Sequence, residues 1–262
     1  MSVLAHTRAG DGTRAIVLLH GFLGSARNLA TLARGLAERV ADASVWALDL
    51  TGHGDSPPLP PRPTLDGIAR GVLDTTRGLG VAVPWTLVGH SLGGRVALHA
   101  ALAEPAALRQ LTLLDVTPSP REAIGEVAGI VKALAAAPAE APDRRTFRAW
   151  FEQAGLPAAA IDWLLLNVAQ EGDVYRWRID RAALAALYPA IGAEDLWPAV
   201  EGRRPYGLHV IRGADSGYVT DADVRRLTAA GARVDTLAGA GHFLHADRPK
   251  ELLDRIVQGV QS

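Results

Sequence analysis

A serine flanked by glycines stands between an apolar run and a segment with helical spacing, in the stretch WTLVGHSLGGRVALHA over residues 85–100. From Gly89 to Gly93 the chain fits Gly-x-Ser-x-Gly, in which a sharp strand-to-helix turn exposes the serine hydroxyl. The glycines leave room there for neighbouring backbone. The N–H groups that begin the following helix would face a developing negative charge. The spacing therefore predicts Ser91 as a nucleophile at such a turn.

A serine becomes a good nucleophile only beside a base, and the chain contains eight histidines. His242 stands in AGAGHFLHADRP, a loop of small residues between the last strand-like and the last helix-like segment. This place, and the order of serine first and histidine last, predict His242 as the general base for Ser91. His245 competes for that role from the same loop, and we interpret it as a neighbour of the site or a surface residue.

The stretch LLHGFLGS over residues 18–25 ends another apolar run in a loop with glycines, which let the backbone approach the serine closely. We predict that the backbone N–H groups of Phe22 and Leu92 form an oxyanion hole, one donor coming from this loop and one from the residue after the nucleophile. The Phe22 side chain is expected to form part of a pocket wall. His20 is interpreted as a residue that fixes the loop by hydrogen bonds.

These side chains need a scaffold, and strand-like and helix-like segments alternate along the chain. Apolar runs typical of buried strands cover residues 15–20, 43–50, 85–90, 111–116, 208–213 and 232–239. Helical spacing covers residues 28–39, 64–79, 92–104, 221–230 and 247–260. This alternation predicts an α/β fold with a parallel sheet between helices. Ligands bind at the carboxyl edge of such a sheet, where all the candidate site residues would lie.

Residues 118–204 break the alternation, because the segment shows helical spacing, several prolines and no well-defined buried strand. We predict a helical cap (lid) placed over the carboxyl edge of the sheet, with residues 1–117 and 205–262 forming the core. A separate helical domain is the alternative. The aromatic residues of the segment are expected to form mostly a small core of their own, with some of them facing the site.

Composition excludes several other classes of protein. The net charge of −1 gives no electrostatic case for a nucleic-acid or membrane partner, and the absence of cysteine excludes disulfides and thiolate chemistry. No apolar run approaches the roughly 20 residues that span a bilayer, and the N-terminus lacks a signal-peptide pattern, so a cytoplasmic protein is expected. No cofactor and no metal are expected; Asp49, His53 and Asp55 share one tight loop and are interpreted as stabilising its turn. Nothing indicates an oligomeric state.

Four segments, LLHGFLGS, ALDLTGHGDS, LVGHSLGG and AGAGHFLHADRP, occur in the order and spacing of enzymes with the α/β-hydrolase fold. The chain resembles that superfamily over nearly its whole length. The resemblance implies a mostly parallel, eight-stranded sheet flanked by helices, with the helical cap inserted after strand 6. LLDVTPSP and RGADSGYV further resemble small bacterial carboxylesterases, whereas HGFLGS and SLGGRVAL also resemble menaquinone-pathway lyases of the same fold.

Two aspartates compete as the carboxylate that orients the base. Asp115 ends the strand-like LTLLDV, and Asp215 follows the next strand-like run in RGADSGYV. On the superfamily pattern Gly-x-x-Asp-x-x-Val, Ser216 occupies the usual place of the acid, and Asp215 stands one residue early. The resemblance to the esterase group, whose acid comes from the earlier strand, favours Asp115 and keeps Asp215 as the alternative.

The pattern as a whole predicts a serine hydrolase, a carboxylesterase that cleaves small-molecule esters with small to medium acyl chains through an acyl-enzyme. One alternative is a lyase or C–C hydrolase with the same triad. An anionic substrate would then need arginines, and the candidates are Arg95, Arg144, Arg145, Arg148, Arg176, Arg178 and Arg181. The other alternative is a ligand-binding receptor with weak hydrolysis.

Overall fold

The computed structural model describes residues 3–121 and 126–261. Its strands are β1 (His6–Ala9), β2 (Arg14–Leu19), β3 (Ala43–Leu48), β4 (Trp85–His90), β5 (Leu108–Leu114), β6 (Glu140–Ala141), β7 (Val168–Glu171), β8 (Val174–Trp177), β9 (Gly207–Gly213) and β10 (Arg233–Leu237). Its α-helices are α1 (Ala30–Arg39), α2 (Leu65–Gly78), α3 (Leu92–Ala103), α4 (Glu126–Ala136), α5 (Arg144–Gln153), α6 (Ala158–Leu165), α7 (Arg181–Ala193), α8 (Asp221–Ala229), α9 (Leu244–Asp247) and α10 (Pro249–Gln261). None of these helices combines the length and the apolar character that a membrane span requires.

The main sheet has the order β1-β3-β2-β4-β5-β9-β10, and every neighbouring pair is parallel except the antiparallel β1 and β3. Register aligns the carboxyl ends of the central strands, because Leu19 pairs with Gly89 and Gly89 pairs with Leu113. Residues just beyond these strand ends therefore meet at one edge of the sheet. Ser91 and Asp115 are two of them.

Helices cover both faces of the sheet, and the alternation of side chains along β2 shows how. Ile16 and Leu18 point to the face covered by α1 and α10, whereas Val17 and Leu19 point to the face covered by α2 and α3. All four side chains are fully buried. A parallel strand buried on both faces has the continuous apolar run that the sequence displays.

The predicted strand count needs a correction. The main sheet has seven strands among the described residues, not eight, because the residues from Val3 to Thr13 contribute the single edge strand β1. In chain order residues 118–204 consequently follow the fifth strand of this sheet, β5, rather than the sixth. The six strand-like runs found in the sequence correspond to the six other strands, β2 to β5, β9 and β10.

Residues 118–204 are not purely helical, which is a second correction. Besides α4 to α7, the segment contains a small antiparallel sheet with the order β6-β8-β7. These strands have two to four residues and are largely exposed or half-buried, so they lack the apolar run by which buried strands are recognised. Phe147 and Phe151 are fully buried and belong to the same apolar cluster as the α2–α3 face of the main sheet.

Candidate active site

Ser91 occupies the sharp turn between β4 and α3. Its backbone lies in the left-handed region with φ 51° and ψ −115°, a conformation that costs a non-glycine residue of order 1 kcal/mol or more. The flanking glycines are required by close contacts: a Cβ on Gly89 would lie 2.3 Å from the O of Gly93, and a Cβ on Gly93 would lie 2.5 Å from the O of Leu19. The Gly-x-Ser-x-Gly pattern thus has the strand-turn-helix context that the sequence predicted.

His242 and Asp115 form a hydrogen-bonded pair at the same edge of the sheet. His242 donates from Nδ1 to Oδ2 of Asp115 at 2.7 Å. Because a carboxylate only accepts, this contact places the proton on Nδ1 and leaves Nε2 as the acceptor nitrogen. Asp115 directly follows β5 and is fully buried, whereas the His242 side chain is 17% exposed. The structure therefore brings the predicted base together with the favoured acid.

Ser216 is a further member of this network whose contact the sequence did not reveal. Its hydroxyl donates to Oδ2 of Asp115 at 2.5 Å and accepts from the backbone N–H of Tyr218 at 3.2 Å. The backbone N–H of Gly213 donates to the other carboxylate oxygen at 3.0 Å. Asp115 thus accepts three hydrogen bonds that hold its carboxylate in one orientation. The available signal was the position of Ser216, at the usual place of the acid in the superfamily pattern.

Asp215, the alternative acid, lies in the turn after β9 and is exposed. Its backbone N–H donates to the O of Ala240 at 3.0 Å. Within residues 3–121 and 126–261, no hydrogen bond or ion pair joins its carboxylate to His242 or to another side chain. The one-residue displacement seen in the sequence accordingly separates Asp215 from the histidine.

Replacing Ser216 by alanine should lower kcat/KM roughly tenfold, because the buried carboxylate of Asp115 loses one charge-assisted donor and keeps two others. Initial rates of p-nitrophenyl butyrate hydrolysis measure the effect, with Asp215→Asn as the control in the same turn. A Ser216→Ala enzyme with wild-type kcat/KM would show that this hydroxyl contributes nothing to the orientation of the acid.

The imidazole of His242 is held by rings and backbone on several sides. His90, the residue before Ser91, donates from Nε2 to the backbone O of His242 at 2.8 Å, and their ring centroids are 4.8 Å apart. The Tyr218 ring stacks on the His242 ring at 3.7 Å and 14°. His245 packs its ring edge against His90 at 5.0 Å, and burial lowers its pKa. His245 is thereby a neighbour of the base, as interpreted from the sequence.

The loop that carries the predicted oxyanion donor is fixed by hydrogen bonds to one carbonyl. His20 donates from Nδ1 to the O of Gly21 at 2.8 Å, and the N–H of Gly24 donates to the same oxygen at 3.0 Å. Leu50 donates its backbone N–H to Nε2 of His20 at 2.9 Å, which fixes the tautomer. The Gly21–Phe22 peptide is trans, so the Phe22 N–H points away from this anchored carbonyl.

Two further contacts place this loop beside the nucleophile. A Cβ on Gly21 would lie 2.8 Å from Nδ1 of His90 and 3.4 Å from Cβ of Ser91. The Phe22 ring packs against that of Tyr188 in α7, at a centroid distance of 5.5 Å. Leu92 begins α3, and an N–H in the first turn of a helix has no acceptor within that helix.

Two buried histidines near the loop make stability depend on pH. Burial lowers the pKa of His20 to about 4 and that of His53 to about 3. Below about pH 6.5 the unfolded chain binds protons at these imidazoles, whereas the folded chain keeps them neutral to about pH 4. Their contribution to stability is therefore fully present above about pH 6.5 and is lost as the pH falls toward the folded-state values.

We accordingly expect the free energy of unfolding to fall between about pH 7 and about pH 5, and to fall less steeply in His53→Gln. Urea unfolding at a series of pH values measures the slope. His6→Gln is the matched control, because His6 is exposed on β1. Equal slopes in wild type and His53→Gln would contradict the assigned cause.

All but one of the candidate arginines for an anionic substrate bind carboxylates or backbone oxygens. Arg95 is buried and donates to three backbone oxygens, those of Thr117 at 3.1 Å, Ser119 at 3.0 Å and Glu194 at 2.5 Å. It thereby joins both connections between the main sheet and residues 118–204. Arg145 is exposed on the surface. Five other arginines of the segment bind carboxylates or backbone oxygens: Arg144, Arg148, Arg176, Arg178 and Arg181.

Some aromatic residues of residues 118–204 pack against one another, but they do not form a core of their own, because Phe147 and Phe151 belong to the apolar cluster of the main sheet. Trp177 packs edge-on against Phe147 at 5.2 Å and against Phe151 at 6.0 Å. Tyr188 instead contacts Phe22, as described above, and Trp163 contacts Phe243 at 5.9 Å. Phe243 follows His242 and is 41% exposed. Two aromatic side chains of the segment therefore reach the loops beside the site.

The loop after β3 is held by hydrogen bonds to one carboxylate. The carboxylate of Asp49 accepts the backbone N–H of Ala26 at 2.6 Å and that of Asp55 at 2.8 Å. These contacts hold the turn together, in line with the interpretation of this loop from the sequence. In the part of the chain that the structure describes, no group of three or more histidine and acidic side chains is arranged to hold a metal ion.

Comparison with known proteins defines the family. Residues 16–255 match the alpha/beta hydrolase family, and the chain belongs to it. The main sheet and its flanking helices confirm the fold predicted from the sequence. Among solved structures, one described as a marine microorganism esterase has a TM-score of 0.88, covers 98% of both chains and is 22% identical, which shows the fold alone.

Similar sequences include esterases and lipases. The sn-1-specific diacylglycerol lipase ABHD11 of Mus musculus is 30% identical over 259 residues, which cover 94% of this chain and 81% of the mouse protein. The esterase YbfF of Escherichia coli strain K12 is 28% identical over 243 residues, which cover 92% of this chain and 91% of the bacterial one. These relatives support ester hydrolysis as the general class of activity.

Proposed function

We propose that the protein is a serine carboxylesterase in which Ser91, His242 and Asp115 act as nucleophile, base and acid. One observation carries the proposal: the fully buried carboxylate of Asp115 holds Nδ1 of His242, whose ring lies against the residue preceding Ser91. This contact sets the tautomer in which Nε2 accepts a proton. A glycine turn without chemistry would need neither this pair nor the strained backbone of the serine.

In the proposed reaction, Oγ of Ser91 attacks the ester carbonyl carbon while Nε2 of His242 takes its proton. The carbonyl oxygen becomes an oxyanion that accepts hydrogen bonds from the N–H groups of Phe22 and Leu92. The imidazolium then donates its proton to the leaving alcohol, and an acyl-enzyme remains. Water cleaves this acyl-enzyme by the same route, with His242 as base, and releases the acid.

Asp115 stabilises the imidazolium that forms in both steps and stays ionised. The stacked ring of Tyr218 limits the freedom of the imidazole to turn away from the serine, and the hydrogen bond from His90 holds the backbone O of His242. Little reorganisation is then needed at the moment of reaction, which is how a preorganised site lowers the barrier.

We further propose that residues 118–204 act as a cap on a core made of residues 1–117 and 205–262. The proposal is supported by contacts that the segment makes at the carboxyl edge of the sheet, through Tyr188 and Trp163. Aromatic side chains at these places favour an apolar acyl or alcohol group over a charged one. The substrate proposed is a small-molecule ester with a small to medium acyl chain, hydrolysed in the cytoplasm.

A chain-length series of p-nitrophenyl esters tests this proposal. We expect kcat/KM to be highest for acyl chains between acetate and octanoate and to be low for palmitate. A lyase or C–C hydrolase would instead turn over a carbonyl substrate with negligible ester hydrolysis, and the engaged arginines give no support to an anionic one. A receptor would bind an ester with saturable affinity and release almost no product.

A further inference from the structure

Besides the ring of Tyr188, the side chain of Asn167 reaches the oxyanion loop from residues 118–204; we define this loop as residues 20–24. Asn167 lies between α6 and β7 and donates from Nδ2 to the backbone O of Leu23 at 2.9 Å. Asn167 is 7% exposed and Leu23 is 2% exposed. A buried hydrogen bond of this kind joins two segments that are 144 residues apart in the chain.

Asn167 is itself held firmly. Its backbone N–H donates to the O of Leu164 at 3.0 Å, and its backbone O accepts from the N–H of Arg178 at 2.8 Å. The guanidinium of Arg178 in turn forms an ion pair with Asp55, in the loop after β3. The side-chain amide of Asn167 is thus presented from a fixed position, and its backbone groups have partners of their own.

The acceptor of this hydrogen bond is a strained residue. Leu23 has φ 57°, in the left-handed region that is uncommon for a leucine and costs of order 1 kcal/mol. Such a conformation persists only where the surroundings hold it. Leu23 follows Phe22, and Gly21 before it already accepts two hydrogen bonds. Anchors therefore lie on both sides of the peptide whose N–H is the proposed oxyanion donor.

We propose that Asn167 is a positioning residue, which fixes the oxyanion loop in the conformation that aims the Phe22 N–H at the developing oxyanion. This inference rests on the proposed function, since it requires an ester carbonyl to be attacked at Ser91. Asn167 touches none of the reacting atoms. A hydrogen bond from residues 118–204 then helps to hold the Phe22 N–H in the position where it can bind the oxyanion.

Asn167→Leu tests the inference, because leucine has the same branched arrangement of side-chain heavy atoms and leaves the O of Leu23 without this donor. We expect kcat for p-nitrophenyl butyrate to fall about tenfold with KM within about threefold of wild type, since a misplaced donor weakens binding of the transition state and not of the ground state. Affinity for phenylboronic acid, which forms a tetrahedral adduct on serine, should fall in parallel. Leu166→Ala is the matched control, since Leu166 is adjacent and 60% exposed.

A folded Asn167→Leu enzyme with wild-type kcat, or with a raised KM alone, would overturn the positioning role. Ser91→Ala, assayed in parallel, tests the proposed function itself, which would be contradicted if that variant retained turnover. Loss of turnover in Ser91→Ala together with wild-type kcat in Asn167→Leu would contradict only the positioning role. If Asn167→Leu does not fold, the positioning role is tested by hydrogen exchange in the wild-type protein. The boronic acid adduct should then slow exchange in the oxyanion loop and at residues 166–169, and slowing confined to the loop would contradict the proposal.

Discussion

Ester hydrolysis should fall at least about 10⁴-fold in Ser91→Ala, because alanine removes the oxygen that attacks the carbonyl and leaves only binding and the oxyanion donors. Alanine retains the shape of the turn except for Oγ, so the strained backbone between β4 and α3 is preserved. Initial rates with p-nitrophenyl butyrate, at saturating and at low substrate, measure the loss in kcat and in kcat/KM. KM should change much less than kcat.

Ser216→Ala is the matched comparison, since it deletes a hydroxyl from the other serine near the pair of Asp115 and His242. Its loss should be smaller by roughly two orders of magnitude or more, because Ser216 only helps to orient a carboxylate. Urea unfolding of both variants checks that each is folded. Equal losses of kcat in the two variants would contradict the role of Ser91 as the nucleophile.

Asp115→Asn should lower kcat by about 10³- to 10⁴-fold. The amide cannot stabilise the imidazolium, and its NH₂ group facing His242 would favour the tautomer with the proton on Nε2. That tautomer cannot accept the proton of Ser91. The loss should appear in kcat more than in KM, because the fully buried carboxylate acts on the imidazolium and not on the bound substrate.

Asp215→Asn is the control for this prediction, because Asp215 is the alternative acid and is exposed in the adjacent turn. Its kcat should stay within about threefold of wild type, as expected for a surface substitution without a partner in the site. Loss of turnover in Asp215→Asn with normal activity in Asp115→Asn would reverse our assignment of the acid.

The turn around Ser91 could be predicted from sequence because its requirements are local. Gly89 and Gly93 are needed because an added Cβ would lie within 2.5 Å of a backbone oxygen, and this requirement is visible in the sequence as the five-residue pattern Gly-x-Ser-x-Gly. The buried parallel strands were equally readable, since burial on both faces of the sheet produces an uninterrupted apolar run. Resemblance to the superfamily then supplied the order of the elements.

Contacts between distant segments were not readable in this way. The choice between Asp115 and Asp215 depends on where two turns place their side chains, and a shift of one residue redirects a carboxylate. The hydrogen bond from Ser216 to Asp115 and that from Asn167 to Leu23 join residues 101 and 144 positions apart. No spacing rule along the chain encodes such pairs.

Arg95 illustrates the same point for a charged residue. From sequence it was a candidate for an anionic substrate, because such a substrate would need an arginine in the pocket. Its guanidinium is buried and binds the backbone on both connections to residues 118–204. Residue type alone does not distinguish an arginine that binds a ligand from one that satisfies backbone carbonyls. β6 to β8 were missed because their side chains are too exposed to form a pattern.

The most direct test of Ser91 as the activated nucleophile is covalent labelling by a fluorophosphonate, followed by mass spectrometry of the intact protein and of its peptides. We predict a single adduct on Ser91, no adduct in Ser91→Ala, and labelling slowed at least about 100-fold in His242→Gln, because an unactivated serine attacks poorly. An adduct on another residue, or undiminished labelling of Ser91→Ala, would contradict this prediction.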